Sequence, residues 1–297
     1  MNLSISVSGI TLKHPIMNAS GVLASSPQGV KRLIRSNVSA IVTKTLTLNP
    51  REGYDPPIVV PLEYGLINAV GLANPGINAI NELVDVCRRH GVPIIASIGG
   101  KNEEEFVKLA EKALDANVDG IELNLSCPHT PGYGSDTANL MKSIIKNVAG
   151  LSNKPVWAKL GFDRNIVREA GMALEAGANA LVLINTIPAM VIDVHISKPI
   201  LSNKFGGLSG PAIHPIAVYS VYMVYEEYSC DIIGVGGVVD WYTALELILA
   251  GAKALQIATA FYMKGYGVVN EIIRGIIDFM DKNGFSDLRE LVGRAHQ

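Results

Sequence analysis

Eight short apolar runs, each followed by a stretch of helical period, constrain this chain more than any other feature it carries. The runs are "PIMNAS" (15–20), "AIVTKT" (40–45), "PIIASI" (93–98), "GIELNL" (120–125), "PVWAKL" (155–160), "ALVLIN" (180–185), "DIIGVG" (231–236) and "ALQIAT" (254–259). Apolar runs of this length suit strands covered on both faces, as in a parallel sheet. The intervening "NEEEFVKLAEKALDAN" gathers Phe106, Leu109, Ala110, Ala113 and Leu114 on one helical face and turns its glutamates and lysines outward. "RRHGVP", "LEAGANA" and "LILAGAKA" each put a glycine just past the last helical turn, where a left-handed residue ends a helix. Eight βα units behind a short N-terminal β-hairpin predict an α/β fold, a (β/α)8 TIM barrel spanning residues 1–297 as a single domain. An open doubly wound sheet is the alternative, but no strand–GxGxxG–helix unit opens the chain.

Two connections are too long for simple βα turns: about Leu46 to Pro75, and about Thr186 to Pro211. Long insertions in a compact domain are commonly lids or binding loops. Both leave C-terminal strand ends, the barrel face that carries active sites.

A chain 48% apolar and 18% charged can build a large core and is not disordered. Its net charge of −2, without a basic block, argues against nucleic acid or an acidic membrane surface as the main partner. No segment reaches the roughly 18 consecutive apolar residues of a membrane helix, and the alternating N-terminus does not read as a signal peptide. Cys87, Cys127 and Cys230 form no C-x-x-C pair, which suits a reducing cytoplasm and gives no metal site.

In a barrel, the polar residues at strand ends converge on one mouth. In order they are Asn18 and Ser20, Lys44 and Thr45, Ser97, then Asn124, Ser126 and Cys127, then Lys159, then Asn185 and Thr186. One lysine there reads as a side chain snorkelling to solvent. Two on different strands point to a bound anion or an electron-rich ring, because an unpartnered buried lysine is costly. Each asparagine taken singly reads as a loop cap. Gly234, Gly236 and Gly237 lie at strand seven, Thr259 ends strand eight, and Gly206, Gly207 and Gly210 precede helix six. A single glycine cluster reads as a tight turn; three at one end favour a phosphorylated ligand.

Cys87 and Cys230 read as small buried hydrophobes. Cys127 differs: Pro128 breaks the strand just beyond it, and a polar, glycine-rich loop follows. A thiol there can serve as nucleophile or as general base. The nucleophile role wants a histidine–carboxylate relay, and only His129 is near, without an orienting acid.

The motifs "NASGV", "TKT", "NAVGLANPG", "ELNLSCP", "INT", "KPIL", "GGLSGPAI" and "GVGGV", in this order over nearly the whole length, resemble the dihydroorotate dehydrogenases. These are flavoprotein barrels that oxidise dihydroorotate to orotate in pyrimidine synthesis. The cysteine of "NLSCP", and the lack of an N-terminal membrane-binding extension, resemble the soluble, class 1 branch. "KPIL…GGLSGPAI" looks like the class 1B catalytic subunit, which pairs with a separate subunit carrying FAD and a 2Fe-2S cluster and passes electrons to NAD.

The resemblance implies bound FMN, with Cys127 as the base that removes the C5 proton while hydride leaves C6 for flavin N5. It implies substrate contacts from Lys44, Asn68, Asn124, Asn185 and Thr186, with the backbone of Asn68, Ala69, Val70, Gly71 and Leu72 cradling the carboxylate. Ser20, Lys44, Thr45, Asn124, Ile184 and Gly210 would line the FMN, and Lys159 would face its N1–O2 edge. Gly236, Gly237, Ala258 and Thr259 would hold its phosphate. It further implies a cytoplasmic homodimer that joins the partner subunit as a heterotetramer.

The chain departs from the pattern at four places: His129 stands for asparagine, Ala258 for glycine, His214 for lysine, and Ser97 for the asparagine frequent in class 1B. "NLSCPH" is also similar to the dihydropyrimidine dehydrogenases, which His129 suits; the carboxylate loop "NAVGLANPG" favours dihydroorotate. A non-catalytic flavin- or phosphate-binding scaffold would keep the glycine loops but would not need Cys127, Lys159 and the asparagines.

Overall fold

The computed structural model describes residues 1–21, 23–125, 137–162 and 165–297. Strands β1 (Ile5–Val7) and β2 (Ile10–Leu12) form the expected hairpin, and the barrel begins with β3 (Ile16–Asn18). Helix α1 (Pro27–Arg35) leads to β4 (Ile41–Val42), after which the chain leaves the barrel for the hairpin β5 (Val59–Leu62) and β6 (Gly65–Asn68). Then α2 (Ile80–His90), β7 (Ile94–Ile98), α3 (Glu103–Asp115), β8 (Gly120–Asn124) and α4 (Thr137–Leu151) alternate. So do β9 (Val156–Leu160), α5 (Ile166–Glu175) and β10 (Ala180–Leu183).

A second excursion carries β11 (Ile187–Ala189), β12 (Ile192–Asp193), β13 (Lys198–Pro199) and β14 (Gly206–Ser209). The chain closes with α6 (His214–Tyr228), β15 (Ile232–Val235), α7 (Trp241–Leu249), β16 (Ala254–Ile257), α8 (Thr259–Lys264) and α9 (Val268–Lys282).

The eight predicted runs are the eight strands of one parallel sheet, in the order β3-β16-β15-β10-β9-β8-β7-β4. Its two ends meet, so the sheet curls into a nearly closed barrel. At the seam a side chain stands in for the missing ladder. Asn18 Nδ2 donates to the carbonyl of Val42 (2.7 Å), and its Oδ1 accepts from the Val42 N–H (3.2 Å). Asn18 is wholly buried in the barrel wall and does not line the mouth, unlike the neighbouring Ser20. Among the helix stops, Gly91 takes φ +63 at the end of α2, and Gly177 and Gly251 follow α5 and α7 as expected. Among the described residues no helix is long and apolar enough to cross a membrane.

The long connections are not irregular loops. β5 and β6 from the first, with β14 and β11 from the second, form one antiparallel sheet in the order β11-β14-β6-β5. It is tied to the barrel where β14 leads, through Gly210 and a 3-10 turn (Pro211–Ile213), into α6. Strand eight is shorter than predicted: Ala258 forms the turn, and Thr259 opens α8.

The start of β3 is pinned by His14. Its Nδ1 accepts from the Ile16 N–H (3.2 Å) and its Nε2 bonds the Asn37 carbonyl (2.8 Å), which fixes a neutral ring. Burial is the main cause that lowers its pKa to about 4. The unfolded chain binds this proton near pH 6.5, so the stability from the neutral ring is complete above that pH. It declines as pH falls from 6.5 towards 4 and is gone below. The group accounts for about 3 kcal/mol over that window. Urea unfolding at pH 7.5 and pH 4 should show this loss in the native protein, and a correspondingly flatter profile in His14→Gln.

Candidate active site

A cavity of about 550 Å³ opens at the C-terminal ends of the barrel strands. Every described residue that the resemblance assigns to the site lines it: Ser20, Lys44, Thr45, the stretch 68–72, Asn124, Lys159, Ile184, Asn185, Thr186, Gly210, Gly236, Gly237, Ala258 and Thr259; Ser97, Gly206, Gly207 and Gly234, also read at this end of the barrel, do not. Cys127, with Ser126 and His129, lies outside the described residues. β8 ends at Asn124, three residues before this cysteine, so the strand carrying the motif ends in the cavity wall.

The floor is a polar network that apolar strands hold away from water. Lys159 projects from β9 and is only 4% exposed. Its Nζ donates to Ser20 Oγ and to Gln256 Oε1, both at 3.2 Å. Gln256 Nε2 donates in turn to Glu122 Oε2 at 2.6 Å. Glu122 is wholly buried, accepts from Ser97 Oγ at 3.0 Å, and lies 3.8 Å from the Lys159 ammonium. Beside it in register on β9, and likewise wholly buried, is Trp157.

From Ser97 the network climbs to the mouth. Thr45 Oγ1 and Ser97 Oγ are 3.1 Å apart; Asn124 Nδ2 donates to Thr45 Oγ1 (3.1 Å), and Asn185 Nδ2 donates to Asn124 Oδ1 (3.4 Å). Asn185 Oδ1 also accepts from the Thr186 N–H (2.8 Å). The second buried lysine, Lys44, donates to the Gly21 carbonyl at 2.8 Å.

One end of the cavity is backbone. Gly236 and Gly237 have φ of +135° and +68°, and a Cβ on Gly237 would stand 2.6 Å from the His214 Cβ and 2.8 Å from the Gly210 oxygen. Among the described residues, the N–H groups of Gly236, Gly237 and Ala258 meet no hydrogen-bond acceptor. They are therefore available to an anion. His214 backs this turn: its Nδ1 bonds the Gly236 carbonyl (2.8 Å) and its Nε2 faces Glu246 Oε2 (3.1 Å). The roof strand β6 brings Asn68 to the other side. There the N–H groups of Val70, Gly71 and Leu72 likewise find no acceptor among the described residues, and Arg51 Nε holds the Gly71 carbonyl at 3.3 Å.

Two residues of this floor were not read from the sequence. Glu122 and Gln256 sit inside "GIELNL" and "ALQIAT", where a lone polar residue is hidden by the apolar pattern. The signal that could have found them is a glutamate and a glutamine at inward-facing positions of strands buried on both faces. Cys87 and Cys230 behave as packing residues: burial drives their thiols up to about 12 and about 11, so both stay protonated at neutral pH.

A family model described as dihydroorotate dehydrogenase matches residues 2–280. The chain is 44% identical to a protein of Pyrococcus horikoshii named "Dihydroorotate dehydrogenase B (NAD(+)), catalytic subunit", over 99% of this chain and 97% of that one. It is 43% identical to the protein of the same name from Pyrococcus furiosus, over 100% of both. A similar chain from Aeropyrum pernix, 43% identical over 99% and 98%, is named for fumarate in place of NAD(+).

The glycine turn gives a direct test. Gly237→Ala combines a left-handed backbone with contact against His214, whereas Gly265→Ala has a similar φ of +73° but open space. Chemical denaturation should show Gly265→Ala destabilised by about 1 kcal/mol and Gly237→Ala by about 2 kcal/mol more.

Proposed function

The chain belongs to the dihydroorotate dehydrogenase family, and from that premise we propose how its cavity oxidises dihydroorotate to orotate. The family is one of flavin-dependent oxidoreductases of pyrimidine biosynthesis. We take the flavin to be FMN, held by this barrel as one domain. The observation that carries this reading is the single cavity that joins a backbone anion cradle, two buried lysines and a cluster of asparagines. An anion at the cradle matches a flavin phosphate, and the crowding behind Gly237 supports a turn built for close backbone approach. Ala258 in place of glycine keeps its N–H, so the cradle tolerates the change.

Bound there, the flavin supplies the acceptor for the hydride that leaves C6 of the substrate. Cys127 is the general base for the C5 proton. Asn68, Asn124, Asn185 and Thr186 orient the pyrimidine ring, and the N–H groups of residues 70–72 receive its carboxylate. Ser20, Thr45, Ile184 and Gly210 line the flavin. Lys44 would contact both ligands, and Lys159 would supply a fixed positive charge to the flavin's N1–O2 edge.

For the onward path of the electrons we favour NAD, through a separate subunit carrying FAD and a 2Fe-2S cluster, with a cytoplasmic homodimer at the centre of the assembly. The Pyrococcus names, which specify NAD(+) and a catalytic subunit, support this choice. So do Tyr64, Met190, Ile192, Val194, Ile196 and Phe205, exposed apolar side chains that all lie on the two excursions. Such side chains on one end of a molecule suit contact with another chain.

The protein purified without air should be yellow and should bleach on addition of dihydroorotate but not of dihydrouracil. Cys127→Ser should keep its flavin and lose about 10²- to 10⁴-fold in turnover. A colourless protein that takes up no FMN, or unchanged turnover in the variant, would remove the flavin or the base respectively.

A further inference from the structure

Glu122 has no part in the chemistry above, yet among the described residues it is the one wholly buried acid. A buried ion pair seldom stabilises a fold more than apolar side chains of the same volume would. Its place in the hydrogen-bond network indicates another use, because the directions of the bonds through Gln256, Ser97 and Thr45 follow from it. The carboxylate can only accept, so Gln256 must turn its NH2 towards Glu122 and its oxygen towards Lys159. The reverse orientation would set NH2 against ammonium and oxygen against carboxylate. Ser97 likewise must give its one proton to Glu122. Its oxygen then accepts from Thr45, whose own oxygen is left to accept from Asn124. Two chains of donors, one from Lys159 and one from the paired asparagines, therefore end on the same carboxylate.

We propose that Glu122 is the positioning residue of the cavity floor, holding Lys159 through Gln256 and offsetting part of its charge so as to set the reduction potential of the bound flavin. The inference rests on the flavin reading given above. It follows from the order of groups: Lys159 lines the cavity, whereas the carboxylate, 3.8 Å from its ammonium, does not. Removing the negative charge leaves the ammonium less compensated, and a reduced or N5-adducted flavin gathers negative charge at the edge that Lys159 faces. Both forms should then gain.

The test compares FMN-loaded wild type with Glu122→Gln and Glu122→Asp, using the two-electron midpoint potential and the dissociation constant of sulfite, which adds at flavin N5. Glu122→Gln should bind sulfite about tenfold more tightly and raise the potential by about 30 mV, the equivalent of tenfold for a two-electron couple. Glu122→Asp keeps the charge but withdraws it by one methylene, so it should fall between the two. That variant also decides the matter if Glu122→Gln does not accumulate as folded protein. Flavin-loaded variants with the potential and sulfite affinity of wild type would overturn the inference and reduce Glu122 to packing, whatever their melting temperatures. A wild type that binds no FMN would instead overturn the flavin reading, and the inference with it.

Discussion

A carboxylate enclosed by a barrel of apolar strands must collect its hydrogen bonds from whatever the strands can bring to it, and the cavity floor is built on that demand. Glu122 sits in register with Ser97 on one side and Trp157 on the other, so its neighbours are set by strand pairing. Gln256 reaches it from β16, which is separated from β8 by three strands of the sheet. Only closure of the sheet brings those two side chains within 2.6 Å. Barrel geometry and site electrostatics are in this sense one constraint: a slip of one residue in any of these strands would turn its polar side chain out of the barrel.

The closure itself depends on little backbone pairing at one place. β3 and β4 are three and two residues long, and Asn18 bridges them by acting as an extra peptide group. An apolar residue there would leave the N–H and carbonyl of Val42 unpaired in the wall, a cost of the order of 1–3 kcal/mol for each buried group. The same seam carries Ser20 and Lys44 into the cavity on its two sides. Short strands joined by a side chain thus leave the chain free to diverge just beyond them, where the first excursion begins.

The barrel was legible because a strand buried on both faces must be apolar throughout, and eight such runs allow few other folds. The rim residues were legible for a related reason: Lys44, Lys159 and Asn124 interrupt that pattern at strand ends, where βα barrels carry their sites. What could not be read was pairing between distant segments. β6 and β14 come from different excursions, and their alternation is too short and too glycine-rich to announce a shared sheet. Glu122 and Gln256 escaped notice because each reads as one polar residue in an apolar run until the register sets them together. Asn18 was read as a mouth residue because alternation alone does not say which face of β3 looks inward.

The departures from the family pattern divide along the same physical line. Ala258 stands where the resemblance implies a glycine; its N–H meets no acceptor among the described residues, and the side chain only needs room. His214 replaces a lysine behind the glycine turn, and its ring still meets the Gly236 carbonyl while adding a contact to Glu246. Ser97 is different in kind. It replaces an asparagine within the directed network, where a hydroxyl must accept from one neighbour and donate to the next. A serine can do both with one rotor, and the carboxylate at the end of the chain decides which way the rotor points. Positions that contribute only an N–H tolerate a side chain where there is room for one, as at Ala258, but not where a Cβ would meet its neighbours, as at Gly237. Those that pass on the direction of a hydrogen bond can change only to a group able to accept and donate at once, and that makes a buried acid at the end of the chain worth keeping.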